Sequence, residues 1–260
     1  MAKIYYIGDW AVMCGPVFAE TPFNYAYKGL EMYNYGLWLK EALESDGQHQ
    51  VQSVPAWDFY KLPPGDYEKI LAENDVIIFS DVEAKNFQLA PGFFDRKKFG
   101  TAVLTFPDRI RLTVEAVHSG MHAMFLGGWL SFTGELGKGG WNRTRLREIL
   151  PVNCLEHEDL IENTEGFTAE IVHGTKAFSQ LDFSTFPPIL GYNQTFERPD
   201  CNVLLRVRET GDPLVAKGDF GNGRVLTYMS DPAPHWGCNF VFWDQYAAFW
   251  LACLDLLLET

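Results

Sequence analysis

Paired cysteines are missing from this chain of 260 residues. Its five cysteines include no Cys-x-x-Cys pair and stand far apart (Cys14, Cys154, Cys201, Cys238, Cys253). An odd number of scattered thiols is typical of a reducing compartment, so no disulfide framework is expected. The first residues also lack a basic, apolar leader with a small-residue cleavage site. We therefore interpret Lys3 to Ile7 as a first strand and predict a cytoplasmic protein.

Positive charge and long apolar runs are also scarce. Lys and Arg total 21 against 34 for Asp and Glu, a net charge of −13 that repels phosphate backbones and anionic membrane surfaces. The most apolar run, Phe240 to Leu258, is interrupted by Asp244, Gln245 and Asp255 and falls short of the roughly 20 apolar residues of a membrane span. We predict a buried helix there, and neither nucleic acid nor membrane as a partner.

Metal and phosphate motifs are absent as well. Cys14, His157 and His173 share no spacing typical of zinc ligands, so no metal or cofactor is predicted. The segment Gly221-Asn-Gly-Arg224 lacks the lysine and the following helix of a phosphate-binding loop, and it is interpreted as a hairpin turn.

Apolar and aromatic residues are plentiful. They make up 47% and 15% of the chain, enough for a large core, and no linker or repeat divides it, so one domain over residues 1–260 is predicted. Short apolar runs end in polar or glycine residues (Lys3 to Gly8, Asp75 to Asp81, His122 to Gly128, Arg224 to Ser230). After the first of these runs, apolar and aromatic residues recur three and four positions apart, as in a helix, at Ala26, Leu30, Tyr33 and Leu37. This alternation predicts an α/β fold with a mostly parallel sheet between two helix layers.

The ligand crevice of such a sheet lies at the carboxyl ends of its strands. We therefore expect one rim to carry the residues that end or closely follow the strands (Asp9, Trp10, Asp81, Glu83, Gly127, Gly128, Trp129, Asp231, His235, Trp236). The carboxylates suit a metal, sugar hydroxyls or acid–base chemistry, although each could instead cap a helix. The aromatic rings suit a flat or sugar-like ligand, although each could instead belong to the core. Trp38, Trp243 and Trp250 are assigned to the core.

Four motifs in order resemble the class I glutamine amidotransferase-like superfamily, and more closely its branch of unassigned function with ThuA-like relatives. They span most of the chain: Asp75-Val-Ile-Ile-Phe-Ser-Asp81, then Met124-Phe-Leu-Gly-Gly-Trp-Leu-Ser-Phe132, then Gly221 to Val225 with Met229-Ser-Asp231, then Trp236 with the aromatic run Phe242 to Trp250. The resemblance implies a flavodoxin-like three-layer sandwich. It also implies a nucleophilic cysteine at a strand-to-helix turn and a later His-Pro-Glu motif.

The chain departs from both parts of that apparatus. The nucleophile position falls at about Trp129, and an indole cannot attack an amide. The His-Pro-Glu positions fall on Asp231-Pro232-Ala233, so the base is replaced by a carboxylate and the orienting Glu by a methyl group. Glutamine hydrolysis by the family mechanism is therefore not expected.

Three hypotheses follow. The leading one is a protein without glutaminase activity that binds a small polar metabolite at the strand ends, with carbohydrate-like compounds as one candidate class. The enzyme alternative is a hydrolase or amidotransferase with a rearranged site that uses Ser131, Asp231 and His235. The third is a homo-oligomeric scaffold or regulatory protein.

Overall fold

The computed structural model describes residues 1–15, 19–21, 24–25, 29–101, 103–172, 176 and 178–258. The strands are β1 (Lys3–Gly8), β2 (Trp10–Gly15), β3 (Ala19–Thr21), β4 (Asn24–Tyr25), β5 (Gly29–Asn34), β6 (Gln50–Val54), β7 (Val76–Ser80), β8 (His122–Leu126), β9 (Val152–Cys154), β10 (Leu160–Phe167), β11 (Ala169–Ile171), β12 (Ile189–Asn193), β13 (Thr195–Glu197), β14 (Asn202–Val207), β15 (Pro213–Phe220) and β16 (Gly223–Tyr228). The α-helices are α1 (Leu37–Glu44), α2 (Ala56–Lys61), α3 (Asp66–Glu73), α4 (Ala84–Gln88), α5 (Arg96–Phe99), α6 (Arg109–Ser119) and α7 (Tyr246–Leu258).

Eight of these strands form one sheet, in the order β11-β14-β15-β16-β8-β7-β1-β6. The five strands from β16 to β6 run parallel, and β15, β14 and β11 add an antiparallel edge. Pairing places Gly8 opposite Ser80, Ser80 opposite Leu126 and Leu126 opposite Tyr228. Four neighbouring strands therefore end level at one edge, as the sequence predicts.

Side-chain alternation divides the core between the two faces of the sheet. Ile4, Tyr6, Ile78 and Leu126 belong to one buried cluster, which includes apolar residues of α1 and α7. Their sequence neighbours belong to the other, which includes residues of α2, α3 and α6 (Tyr5, Ile7, Phe79 and Phe125). Successive residues of a strand point to opposite faces, so both faces are covered. The predicted flavodoxin-like three-layer α/β sandwich is confirmed.

Helix α7 is the predicted buried helix near the end of the chain. Phe249, Trp250, Cys253 and Leu254 are all fully buried in it, and each large apolar side chain contributes about 1.5–3 kcal/mol by leaving water. In the part of the chain described here, no helix is both long and apolar enough to cross a membrane.

The helix predicted from the spacing of Ala26, Leu30, Tyr33 and Leu37 is only partly present. Residues Gly29–Asn34 form β5, which pairs antiparallel with β2, and helix α1 begins only at Leu37. Ala26 lies outside the described residues. Leu30 and Tyr33 therefore serve a hairpin, where partner-strand hydrogen bonds override the three- and four-residue spacing. Gly36 donates its backbone N–H to the carbonyl of Asp9 at 2.9 Å, which joins the hairpin to the end of β1.

The assignment of Trp38 to the core is also wrong, whereas Trp243 and Trp250 are buried as predicted. Trp38 is 37% exposed and packs edge-on against Phe242, itself 72% exposed, with ring centroids 5.3 Å apart. The buried face of α1 is formed by its other apolar residues (Leu39, Ala42, Leu43), so Trp38 lies on the outward side.

Candidate functional site

A cavity of about 300 Å³ opens where β1, β7, β8 and β16 end. Six predicted site residues line it together with three residues that the sequence did not single out (Asp9, Trp10, Asp81, Trp129, Asp231, His235; Ala11, Tyr35, Pro234). Four predicted residues do not line it. Glu83 precedes α4, Gly127 packs against the end of β16, Gly128 lies behind two carboxylates and Trp236 is buried.

Asp9 follows β1 in a left-handed conformation, with φ of 52°. Its carboxylate accepts hydrogen bonds from the Tyr6 hydroxyl and, at 3.0 Å, from the Ser80 hydroxyl. Tyr6 belongs to β1 and Ser80 ends the neighbouring β7, so the sheet itself holds this carboxylate at the cavity. Asp9 is therefore not a helix cap, the alternative that the sequence left open.

Asp81 occupies the equivalent position after β7, also left-handed with φ of 55°. Its Oδ1 accepts the backbone N–H of Leu130 at 2.6 Å. Gly128 lies beside it: a Cβ on residue 128 would stand 2.5 Å from Oδ1 of Asp81 and 2.7 Å from Oδ1 of Asp231. With φ of +139°, residue 128 also has a backbone that favours glycine. The absence of a side chain there lets two carboxylates approach the same point.

Asp231 is 2% exposed, and its two oxygens differ. Oδ2 lies 2.5 Å from Nδ1 of His235 and accepts the backbone N–H of Trp236 at 3.1 Å. Oδ1 is buried and has no hydrogen-bond partner among the described residues. Nδ1 of His235 also accepts the N–H of Trp236 at 3.0 Å, so the carboxylate and the backbone together orient the imidazole.

The pKa values of these groups are shifted together. Burial, together with the charge of Asp231, raises the pKa of Asp9 to about 7 and that of Asp81 to about 8. Burial likewise raises the pKa of Asp231, against the hydrogen bond from His235. Burial lowers the pKa of His235, but the hydrogen bond and charge of Asp231 outweigh it, so the pKa is raised. The site therefore holds protons near neutral pH that exposed carboxyl groups would have lost.

Aromatic rings cover the His235 side of the cavity. The Trp129 ring lies 4.0 Å from the imidazole of His235, centroid to centroid, with 35° between the planes. Glu162 accepts both indole N–H groups, from Trp129 at 3.0 Å and from Trp236 at 2.7 Å. Trp236 thus supports the wall from behind, while Trp129 is 44% exposed. Glu162 was missed in the sequence because it lies in a middle region without a clear pattern.

Ser131 lies away from the cavity surface. Its buried hydroxyl donates to the carbonyl of Leu126 at 2.6 Å and accepts the N–H of Asp81 at 3.1 Å. Both contacts fix the turn after β8. The geometry gives no support to a catalytic pair of Ser131 with His235, because this hydroxyl is already engaged.

A buried amide fixes the glycine turn and was not predicted. Asn193, at the end of β12, accepts the N–H of Gly128 at 2.9 Å and donates to the carbonyl of Gly128 at 3.1 Å. It also donates to Asp159 at 2.9 Å, and Asp159 accepts the N–H groups of Thr133 and Gly134. The polar residue that ends the apolar run Ile189 to Tyr192 was the available signal.

Neither a thiol nor a metal cluster is found at the cavity in the described residues. The four described cysteines do not line it (Cys154, Cys201, Cys238, Cys253). No group of three or more His, Cys, Asp or Glu side chains is arranged to hold a metal ion, over the same part of the chain. His173 and the side chain of Cys14 lie outside the described residues.

A family model described as "Putative glutamine amidotransferase" (GATase1-like) matches residues 26–259. The chain belongs to this family. The resemblance inferred from the four motifs is confirmed.

Two solved structures match nearly the whole GATase1-like chain. One is a cytoplasmic protein of Salmonella typhimurium, 27% identical, with a TM-score of 0.84 and 98% of each chain covered. The other is a cytoplasmic protein of Salmonella typhimurium LT2, 29% identical, with a TM-score of 0.82, covering 98% of this chain and 99% of that one.

A ThuA-like protein of Parabacteroides merdae is a more distant structural neighbour. It is 13% identical, with a TM-score of 0.46, and the match covers 96% of this chain and 90% of the neighbour's chain. No functionally curated protein matches the sequence.

Proposed function

We propose that this GATase1-like protein binds a small, polar, hydroxyl-rich metabolite in the cavity at the strand ends and has no glutaminase activity. The observation that carries the proposal is the lining itself, in which three carboxylates and an imidazole face aromatic rings. Carboxylates accept hydrogen bonds from hydroxyl groups, and aromatic faces cover the apolar face of a sugar-like ring. A volume of about 300 Å³ lies at the small end of ligand pockets and suits a single ring.

Loss of glutaminase activity is supported by the residues at the two family positions. Trp129, which the resemblance puts at about the nucleophile position, lies against His235 and has no nucleophilic group, and Asp231 is committed to His235 and Trp236. A cytoplasmic location is supported by the absence of disulfide-type cysteine spacing and by the description of both Salmonella relatives as cytoplasmic proteins.

A thermal-shift panel of neutral sugars, polyols, amino sugars, amino acids and nucleotides tests this proposal, with glutaminase activity assayed alongside. A ligand that binds only the native state raises the melting temperature. We expect at least one hydroxyl-rich compound to stabilise the protein and Asp231→Asn to remove the shift.

Asn74→Ala is the matched control, since Asn74 lies at the opposite end of the sheet and donates to the carbonyl of Ile70. It should leave the ligand shift in place. A panel in which no hydroxyl-rich compound stabilises the protein would overturn the proposal, and so would glutamine turnover.

The contact between Asp231 and His235 favours one alternative, a hydrolase that activates water directly. Nδ1 of His235 is held by the carboxylate at 2.5 Å and by the backbone N–H of Trp236 at 3.0 Å. An imidazole oriented in this way is suited to accept a proton from water. Hydrolysis of p-nitrophenyl esters or glycosides tests it: His235→Gln should abolish turnover and Ser131→Ala should retain it. Turnover unchanged in His235→Gln would exclude this alternative.

A further inference from the structure

One acceptor at the cavity lacks a donor. Oδ1 of Asp231 is buried without a hydrogen-bond partner in the described residues, and Asp231 lines the cavity. A buried carboxylate oxygen is unfavourable when it is left unpaired. The missing donor is therefore expected from a molecule that enters the cavity.

A second acceptor lies beside it. Oδ1 of Asp81 and Oδ1 of Asp231 both lie beside the Cα of Gly128, 2.5 and 2.7 Å from where a Cβ would stand, so the two oxygens are close enough for one group on their cavity side to reach both. The Asp81 oxygen already accepts the N–H of Leu130, and a carboxylate oxygen can accept a further bond. A single donor group with several hydrogens could serve both aspartates.

Acidic groups predominate around these two oxygens. Asp9, Asp81 and Asp231 line the cavity, and among the described lining residues the positively chargeable group is His235, with neither Lys nor Arg. Trp10, Tyr35 and Trp129 supply aromatic rings, and such rings attract cations as well as sugar faces. The lining therefore favours a cation over a neutral ligand of equal size.

We infer that the ligand carries a primary ammonium group, as an amino sugar or amino polyol does, and that this group binds between Asp81 and Asp231. The inference rests on the proposed function and specifies its ligand. An ammonium presents three donors and one positive charge, which matches the acceptors and the charge of the cavity. Burial and the charge of Asp231 raise the pKa of Asp81, and a bound cation would oppose that shift, so binding should release protons.

Matched ligands test the inference by calorimetry at constant ionic strength. D-glucosamine is compared with D-glucose and N-acetyl-D-glucosamine, and D-glucamine, the primary amine of the sorbitol skeleton, with sorbitol. We expect each amine to bind at least tenfold more tightly than its neutral counterpart. Titrations in buffers of different ionisation enthalpy should show proton release on amine binding.

Two variants distinguish amine binding at the cavity from attraction by the negative charge of the whole protein. Asp231→Asn removes one negative charge at the cavity, and Asp255→Asn removes the same charge from an exposed position on α7. Amine affinity should fall at least tenfold in the first and change less than twofold in the second. Equal losses would mean binding to the acidic surface and would overturn the inference.

The two proposals fail in different ways. Neutral sugars that bind as tightly as amines would overturn the ammonium inference and leave the proposed function standing. A protein stabilised by no member of the whole panel, neutral or amine, would overturn both.

Discussion

The two ends of the central sheet offer cavities of opposite character. The larger, about 540 Å³, lies at the amino ends, where Asn74, Asp75 and His122 are among its lining residues. Each has a partner: Asn74 donates to Ile70, Asp75 accepts the N–H of Lys3, and His122 accepts the N–H of Arg224. The smaller cavity at the carboxyl ends contains the unpaired oxygen of Asp231. The two cavities therefore differ more in whether their polar groups have hydrogen-bond partners than in their volumes.

The largest predicted difference between the two ends comes from their glycines. Gly128→Ala would place a Cβ against two carboxylates at 2.5 and 2.7 Å, whereas Gly120→Ala would place one 3.7 Å from Asn222. Both residues have positive φ, so both variants are strained by about 1–3 kcal/mol. The added overlap should bring the loss in Gly128→Ala to about 4 kcal/mol or more. Urea unfolding measures both, and equal losses would contradict the described packing.

The buried amide should give the next largest difference. Asn193→Ala removes three hydrogen bonds at a fully buried position and should lower the free energy of unfolding by about 2–4 kcal/mol. Asn74→Ala removes one bond at a half-buried position and should cost about 1 kcal/mol or less. Equilibrium unfolding of the two variants checks this. A loss below that of Asn74→Ala would show that Asn193 does not hold the turn.

The acidic cavity should also make stability depend on pH. The pKa of Asp81 is raised in the folded state from 3.8 to about 8, so the folded protein binds its proton more tightly than the unfolded chain. The free energy of unfolding should therefore fall as pH rises between those values, and the raised pKa of His235 acts in the same direction. We expect a fall on the order of 2 kcal/mol from about pH 6 to about pH 9.

Asp81→Asn should weaken that dependence, since the neutral amide still accepts from Leu130 but does not titrate. Ser119→Ala, a change beside the amino-end cavity, should leave the dependence intact. Stability that rises over the same range would reverse the predicted sign.

The smallest effect on stability is expected at Trp129, the half-exposed aromatic residue of the cavity. Trp129→Phe removes the hydrogen bond to Glu162 but keeps a ring beside His235, and residue 129 is half exposed. The free energy of unfolding should change by less than about 1 kcal/mol. Chemical denaturation would reveal a larger loss, which would make Trp129 a structural residue of the rim.

The sequence predicted the rim because strand ends can be read from local patterns. Buried runs that stop at Gly8, Ser80 and Leu126 place their successors together once the sheet is parallel. The hairpin of β2 and β5 could not be recognised in the same way, because β5 itself contains Leu30 and Tyr33, two residues of the helical spacing. Pairing between distant segments decided that region.

The supporting residues were missed for a related reason. Asn193, Asp159 and Glu162 act on groups that lie 25 or more residues away in the chain. Their own segments show no alternation that separates them from ordinary surface polar residues. Only the folded arrangement shows which carboxylate or amide has a buried partner.

Asn193 also sets a length. It binds both the N–H and the carbonyl of residue 128, so it recognises the main chain on either side of that Cα rather than a side chain. A glutamine could form the same pair of bonds, but its extra methylene would displace that backbone by about 1.5 Å. The length of one asparagine side chain thus sets the distance between β12 and the turn after β8, the turn that carries Trp129 to the cavity.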